Sequence, residues 1–209
     1  MGFENTGRRP ERNRSYHKVY HLVCEGELTE VEYIQNALRP NFESSVRFIV
    51  EKRAAPDIPA LIESAKRALS GVDKPLPNKE EVWILVDQDT KSHSPVQFKK
   101  LAEWKRKSPE IRHIGLSCPN FEFWLWLHFE GTKFGDRDIT PAKLNKYISN
   151  YSRRKKVPLG LIKREHLENA VKKHEGQAIP TAENYEQSKG SAVSLLVKAL
   201  LELPQSQSR

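Results

Sequence analysis

The feature that most constrains this chain is a regular alternation of short apolar runs and amphipathic segments between residues 18 and 130. The predicted strands are 18–24, 45–51, 81–86 and 111–117, and the predicted helices are 29–38, 58–69, 95–107 and 121–129. Strands that alternate with helices in this way form a parallel sheet with right-handed crossovers and helices on both faces. The sequence therefore predicts an α/β core over residues 18–130.

The segments on either side of this core have a different composition. Residues 1–17 are rich in arginine and lack an apolar pattern, which predicts a disordered basic tail. Residues 131–209 carry 15 basic and 8 acidic side chains. Their apolar spacing predicts helices over 140–149, 163–174 and 191–203. We therefore expect a basic, helical C-terminal region after the core.

Acidic side chains follow three of the predicted strands, at the points where the strands end. Glu25 and Glu27 come after the first strand, Asp87 and Asp89 after the third, and Glu122 after the fourth. The carboxyl ends of parallel strands meet at one edge of a sheet, where functional groups gather, so we expect these acids to lie close together. Side chains two residues apart on an extended backbone share a face, so Asp87 and Asp89 can reach one ion or two neighbouring ions.

A cluster of carboxylates of this kind favours a bound cation, because the charges repel one another at low dielectric. Oxygen ligands suit Mg²⁺ or Mn²⁺ better than zinc. Each of these acids also has a simpler structural explanation. Asp87 and Asp89 could form a solvated acidic turn, and Glu25 and Glu27 could belong to an ordinary turn before a helix. Glu122 could be a buried hydrogen-bond partner rather than a ligand.

Positive charge is concentrated at the two ends of the chain, which has a net charge of +8. Basic segments attract polyanions, because contact with phosphates releases counterions. The run Arg153, Arg154, Lys155 and Lys156 is therefore the candidate for nucleic-acid binding. A solvated basic loop without a nucleic-acid role explains the same charge equally well.

Several other kinds of site are missing from the sequence. There is no nucleophile elbow, no P-loop and no glycine-rich dinucleotide turn. His166 and His174 are too far apart to be a close ligand pair, and His128 is expected to be a core histidine. No secretory signal and no apolar run long enough for a membrane helix are found. These features predict a cytoplasmic protein, in which Cys24 and Cys118 are expected to be reduced.

Three motifs, in order along the chain, resemble the RloB family. They are CEGELTEVEY at 24–33, VDQD at 86–89 and SCPNFEFWLWLHF at 117–129, within a resemblance that covers about residues 15–135. RloB proteins are encoded near restriction–modification and abortive-infection loci, and they are similar to Toprim domains. The resemblance implies a Toprim-like, parallel-dominated sheet with helices on both faces.

The same resemblance implies roles for the acids. Glu25 matches the glutamate that follows the first Toprim strand, and Asp87 and Asp89 match the acidic pair that follows the third. These three residues are therefore the expected catalytic set. Together with Glu122 they form the expected metal site for Mg²⁺ or Mn²⁺. RloB-like proteins are also expected to work beside an ABC-type ATPase.

The function that we expect is a metal-dependent nuclease that hydrolyses nucleic-acid phosphodiester bonds as a phage-defence effector with an ABC-type ATPase partner. The alternative is a non-catalytic, metal- or nucleic-acid-binding subunit of that ATPase. Phosphoryl transfer like that of haloacid dehalogenases is disfavoured, because Lys91 stands where that motif has Thr or Val. DNA and RNA both remain open as substrates, and a homo-oligomer is compatible with the sequence.

Overall fold

The computed structural model describes residues 18–70, 79–89, 92–130 and 140–203. The strands are β1 (Lys18–Cys24), β2 (Val46–Val50), β3 (Glu80–Asp87), β4 (Arg112–Cys118) and β5 (Gly190–Ser191). The helices are α1 (Thr29–Tyr33), α2 (Arg39–Phe42), α3 (Ile58–Ser70), α4 (Pro95–Arg106), α5 (Phe121–Leu127), α6 (Pro141–Leu144), α7 (Tyr151–Arg154), α8 (Arg164–His174) and α9 (Val193–Leu201), and a π-helical segment, Ile34–Leu38, joins α1 to α2. The predicted basic tail over 1–17 and the predicted start of the C-terminal region at 131 lie outside the described residues.

The five strands form one sheet in the order β2-β1-β3-β4-β5. The first four are parallel, and β5 pairs antiparallel with β4. In this register Cys24 lies opposite Leu85 and Asp87 lies opposite Ser117, so β1, β3 and β4 end at the same edge. The predicted α/β fold with a mostly parallel sheet is confirmed, whereas the short antiparallel strand was not predicted.

Apolar side chains alternate along the central strand and enter two separate clusters. Trp83 and Leu85 of β3 belong to one cluster, and Val82, Ile84 and Val86 belong to the other. Successive side chains of a strand point to opposite faces, so the sheet is buried on both sides. Helices α3 and α4 cover one face, and α5, α8 and α9 cover the other.

The helices after residue 140 belong to the same apolar cluster as one face of the sheet. Leu144, Leu167 and Val197 are fully buried in the cluster that contains Trp83 and Leu85. This part of the C-terminal region is therefore built into the core that carries β3. None of the helices in the described ranges has the length and apolar character that crossing a bilayer requires.

A short polar residue before an apolar helix predicts an N-terminal cap, and the caps that this pattern predicts at Asp57 and Asn120 are confirmed. An Asp57 side-chain oxygen accepts a hydrogen bond from the backbone N–H of Ala60 at 3.0 Å. The Asn120 side chain accepts one from the backbone N–H of Phe123 at 3.3 Å. A cap of this kind satisfies a backbone donor that the helix leaves free. The second cap begins α5 directly after β4 and so brings Glu122 to the edge of the sheet.

The first helical stretch differs from its prediction at both ends. The spacing of Thr29 and Glu32 predicts a capping box, but no side chain among the described residues caps the start of α1. Pro40 predicts the end of this helix, but the helical backbone continues through it to the end of α2. A proline has no N–H to donate within a helix. Here the preceding turn widens to π-helical bonding, and the Asn41 side-chain amide donates to the Ala37 carbonyl at 2.7 Å.

The chain around the basic run also differs from its prediction. The helix expected over 140–149 is reduced to the single turn of α6. Asn150 adopts a left-handed conformation with φ 57° before α7, which prevents one continuous helix. Arg153 and Arg154 lie in α7, so half of the run expected in a loop is helical. Lys155 is left-handed as well, with φ 52°.

Candidate functional site

A cavity of about 700 Å³ lies where β1, β3 and β4 end. Five carboxylate residues are part of its lining, namely Glu25, Glu30, Asp87, Asp89 and Glu122. The parallel register of the three strands explains why acids so distant in sequence line one cavity. Four of the five are the predicted metal ligands, and their role as ligands stays a prediction.

Glu25 connects the ends of two neighbouring strands. Its Oε2 accepts a hydrogen bond from the backbone N–H of Asp87 at 2.8 Å, and its Oε1 accepts one from Nε2 of His93 at 3.0 Å. The His93 ring is only 3% exposed, and the hydrogen bond to Glu25 raises its pKa. Sequence reasoning missed His93, because it stands outside every recognised motif.

Asp87 lies at the end of β3, beside the other acids. Burial raises the pKa of Asp87 well above its usual range, and the charges of Glu30, Glu25 and Glu122 raise it further. A hydrogen bond from the backbone N–H of Phe121 opposes this shift. The protein therefore holds Asp87 where a negative charge is disfavoured unless a proton or a cation compensates it.

Glu30 is a buried carboxylate that sequence reasoning did not select. It is 5% exposed, and its Oε1 accepts a hydrogen bond from the backbone N–H of Gly26 at 3.0 Å. Burial raises the pKa of Glu30, and the charges of Glu25 and Glu122 contribute to the rise. A Cβ atom on Gly26 would lie 2.1 Å from Glu30 Oε2, so only glycine leaves room for this carboxylate. Gly26 was the available signal, but a glycine does not reveal which side chain approaches it.

Glu122 is buried in the first turn of α5 and forms an ion pair with the Lys155 ammonium group. The Tyr151 hydroxyl lies 3.3 Å from Glu122 Oε1 and 3.2 Å from Thr29 Oγ1. Burial raises the pKa of Tyr151, and the charge of Glu122 adds to the rise. The hydrogen-bonded role that the sequence left open for Glu122 is therefore present, with partners from the C-terminal region.

Asp89 is the exposed member of the cluster. Its Oδ2 accepts a hydrogen bond from the Ser92 hydroxyl at 2.7 Å, and its carbonyl accepts one from the backbone N–H of His93 at 2.8 Å. Between the two aspartates, the Gln88 side chain donates to the Tyr185 carbonyl at 2.6 Å. Asp89 thus shares the cavity with the buried acids but has a more polar environment.

The chemistry of these donors fits a hard divalent cation, because carboxylate oxygens are the ligands that Mg²⁺ and Mn²⁺ prefer. In this structure, however, the carboxylates are not placed to coordinate one ion together. Across the described ranges, no three His, Cys, Asp or Glu side chains are grouped so that they could hold a metal. The buried acids accept hydrogen bonds from protein donors instead. A cation would have to draw the side chains of Glu25, Glu30 and Asp87 together.

The four members of the basic run have different surroundings. Arg153, Arg154 and Lys156 are exposed. Lys155 is partly buried and lines the cavity with the acids. Nucleic-acid binding by the run stays a prediction, but the run now divides into three surface residues and one cavity residue.

The remaining candidates from the sequence are structural. His128 is buried, its Nδ1 donates to the Trp124 carbonyl at 2.9 Å, and its Nε2 accepts from the Tyr33 hydroxyl at 3.1 Å. Burial lowers the pKa of His128 to about 3, so the ring is neutral, and its prediction as a core histidine is confirmed. Cys24 and Cys118 are both free and buried at strand ends.

The sequence comparisons agree with this arrangement of motifs. The family model described as RloB-like protein matches residues 20–200, and so spans both the sheet and the helices after residue 140. No curated protein and no solved structure matches the chain. Since the family model covers most of its length, the chain belongs to the RloB-like family.

Proposed function

We propose that this protein is a metal-dependent nuclease that hydrolyses phosphodiester bonds in nucleic acids. The observation that carries the proposal is the convergence of Glu25, Glu30, Asp87 and Asp89 on one cavity, beside Lys155. Burial raises the pKa of Asp87, and the charges of the neighbouring acids raise it further, so a negative charge on Asp87 is disfavoured. A divalent cation would relieve this repulsion, so the cavity favours metal binding over an empty state.

Glu25, Glu30 and Asp87 would hold the ion, and Asp89 would complete its coordination from the exposed side. When bound, Mg²⁺ or Mn²⁺ polarises a phosphate oxygen and lowers the pKa of an attacking water. The His93 ring and the backbone N–H of Asp87 would orient the Glu25 carboxylate at this site. Exposed Arg153, Arg154 and Lys156 would hold the substrate backbone.

Membership in the RloB-like family supports a role in phage defence or restriction. We extend the proposal to an ABC-type ATPase partner, which would supply sensing, while this chain would cut. A second candidate function is a non-catalytic subunit of that ATPase, which binds metal or nucleic acid. It is favoured by the absence, within the described residues, of any group of three ligands already placed for a metal.

One experiment separates the two candidates. The purified protein is incubated with plasmid DNA, single-stranded DNA and tRNA, with Mg²⁺ or Mn²⁺, in the presence and absence of the ATPase. The nuclease proposal expects metal-dependent cleavage by the wild type and none by Asp87→Asn. If neither metal supports cleavage under any condition, or if Asp87→Asn cuts as well as the wild type, the proposal is wrong.

A further inference from the structure

We propose that Lys155 is a phosphate-binding residue of the cavity, and that Glu122 acts as its positioning residue rather than as a metal ligand. This inference rests on the proposed function only in taking a nucleic acid as the ligand. It assigns the two partners of one buried ion pair to different tasks. It also separates Lys155 from the three exposed members of the basic run.

The first argument is placement. Among the described residues that line the cavity, Lys155 is the only basic one. The other lining side chains that carry charge are the carboxylates of Glu25, Glu30, Asp87, Asp89 and Glu122. A phosphate entering this cavity meets strong negative charge, and Lys155 is the group in the lining that attracts it.

The second argument is the way in which Lys155 is held. Its backbone has a left-handed φ of 52°, a conformation that is unfavourable for a non-glycine residue. Its N–H donates to the Tyr151 carbonyl at 2.7 Å, and its ammonium group lies 5.4 Å from the centroid of the Tyr151 ring. The carboxylate of Glu122 completes the arrangement. The side chain is therefore fixed toward the cavity instead of extending into solvent.

The third argument is donor capacity. An ammonium group has three N–H donors, and the contact with Glu122 uses one of them. The Lys155 side chain remains 33% exposed, so a ligand in the cavity can reach part of it. The Lys155 ammonium group already compensates the charge of Glu122, so a second cation gains less there than at Glu30 or Asp87. Glu122 is therefore better suited to hold Lys155 than to hold a metal.

The competing explanation is structural, since the pair also ties the C-terminal region to α5. Lys155→Met alone does not separate the two, because it leaves Glu122 buried without a partner, which is strongly destabilising. The double variant Lys155→Met/Glu122→Gln does, because it removes both charges and keeps the volume of the side chains. Lys155→Arg retains the charge, and Arg153→Met is the matched control for loss of one exposed charge nearby.

The test is binding of a labelled single-stranded DNA of about 15 nucleotides, followed by fluorescence anisotropy in EDTA at fixed salt. Because no metal is present, the result does not depend on cleavage. We expect the double variant to bind about tenfold or more weakly, since it loses a charged hydrogen bond to phosphate. Arg153→Met should weaken binding only about two- to threefold, and Lys155→Arg should bind like the wild type.

A folded double variant that binds as well as Arg153→Met would overturn the inference and leave the ion pair a structural tie. Thermal melts establish that the double variant is folded. If it does not fold, the double variant Lys155→Gln/Glu122→Gln replaces it. The inference then expects this variant to bind about tenfold more weakly than Lys155→Arg, and equal binding by the two would overturn it. A wild type that binds through Lys155 but never cuts would contradict the proposed function alone. A nuclease whose DNA binding ignores Lys155 would contradict this inference alone.

Discussion

The backbone N–H of Asp87 donates a hydrogen bond to the carboxylate of Glu25, across the ends of two neighbouring strands. This bond keeps two acids of like charge within electrostatic reach of each other, and the charge of Glu25 contributes to the raised pKa of Asp87. The hydrogen bonds between β1 and β3 hold the two acids in place against their mutual repulsion. Glu25 and the end of β3 are therefore held beside each other before any cation binds.

The first prediction concerns the charge of Asp87. Asp87→Asn removes a buried charge that its neighbours disfavour, so the metal-free variant should melt higher than the wild type, by about 2–4 °C for each kcal/mol recovered. Mn²⁺ should raise the melting temperature of the wild type by binding only the folded protein. The variant should lose that rise, because an amide does not replace the missing charge.

Thermal melts with and without Mn²⁺ check this prediction. Glu27→Gln is the matched control, because its side chain is 82% exposed, and it should keep both the wild-type melting temperature and the metal-induced rise. Equal metal-induced shifts in the wild type and Asp87→Asn would rule out a metal at this residue.

The second prediction concerns His128 and pH. Burial lowers its pKa to about 3 in the folded protein, below the value of about 6.5 expected for an unfolded histidine. Between these values the unfolded chain binds a proton that the folded chain does not. The free energy of unfolding should therefore decrease as the pH falls from about 6.5 toward 3, by up to about 1.4 kcal/mol per pH unit.

Urea unfolding across this pH range should show a smaller slope for His128→Gln than for the wild type. His174 is present in both proteins, so a difference between their pH slopes comes from His128. Equal slopes for the wild type and His128→Gln would contradict a neutral, buried ring.

The third prediction concerns Gly190, which forms β5 with Ser191. Its φ is +131°, and a Cβ atom would lie 2.5 Å from His174 Nε2. Gly190→Ala should therefore lower the free energy of unfolding by about 2–4 kcal/mol, from backbone strain and overpacking together. Gly160→Ala is the control, because it has a positive φ but no atom within 4 Å of a new Cβ. Chemical denaturation that gives equal losses for both variants would contradict the steric argument.

The fourth prediction concerns the exposed part of the basic run. Arg153, Arg154 and Lys156 should contact phosphates directly, so their replacement by Gln should reduce the slope of log K against log salt by about 2–3. A triple change of exposed Lys99, Lys100 and Arg106 on α4 removes the same charge from another surface. Salt titrations in which the two triple variants have the same slope would remove the run from the nucleic-acid interface.

The sequence was most informative where local pattern decides the structure. β1 begins and ends where it was predicted, because polar residues on both sides mark the ends of its apolar run. The caps at Asp57 and Asn120 were also predictable, since a short polar side chain before an apolar helix satisfies a nearby N–H. The acids that end β1 and β3 could be placed at one edge, because parallel strands run in the same direction.

The rest depends on contacts between distant parts of the chain, which periodicity does not reveal. The ion pair between Glu122 and Lys155 joins residues 33 positions apart, and the Ser117–Ser191 hydrogen bond joins residues 74 positions apart. Glu30 was not selected, because its burial results from the tertiary packing around Gly26. These long-range contacts also distinguish Lys155 from the basic residues beside it.

The pairing of β5 with β4 has a consequence for how this protein can be divided. Ser117 lies between Asp87 of β3 and Ser191 of β5, so the last strand is a direct neighbour of the strand beside the acids. A fragment that ended near residue 130 would leave this edge of β4 without its hydrogen bonds and α5 without its cover. The sheet and the helices that follow it should therefore fold as one unit. If the last seventy or so residues are exchanged between relatives, the cavity should be preserved only where β5 still matches β4 and Lys155 still matches Glu122.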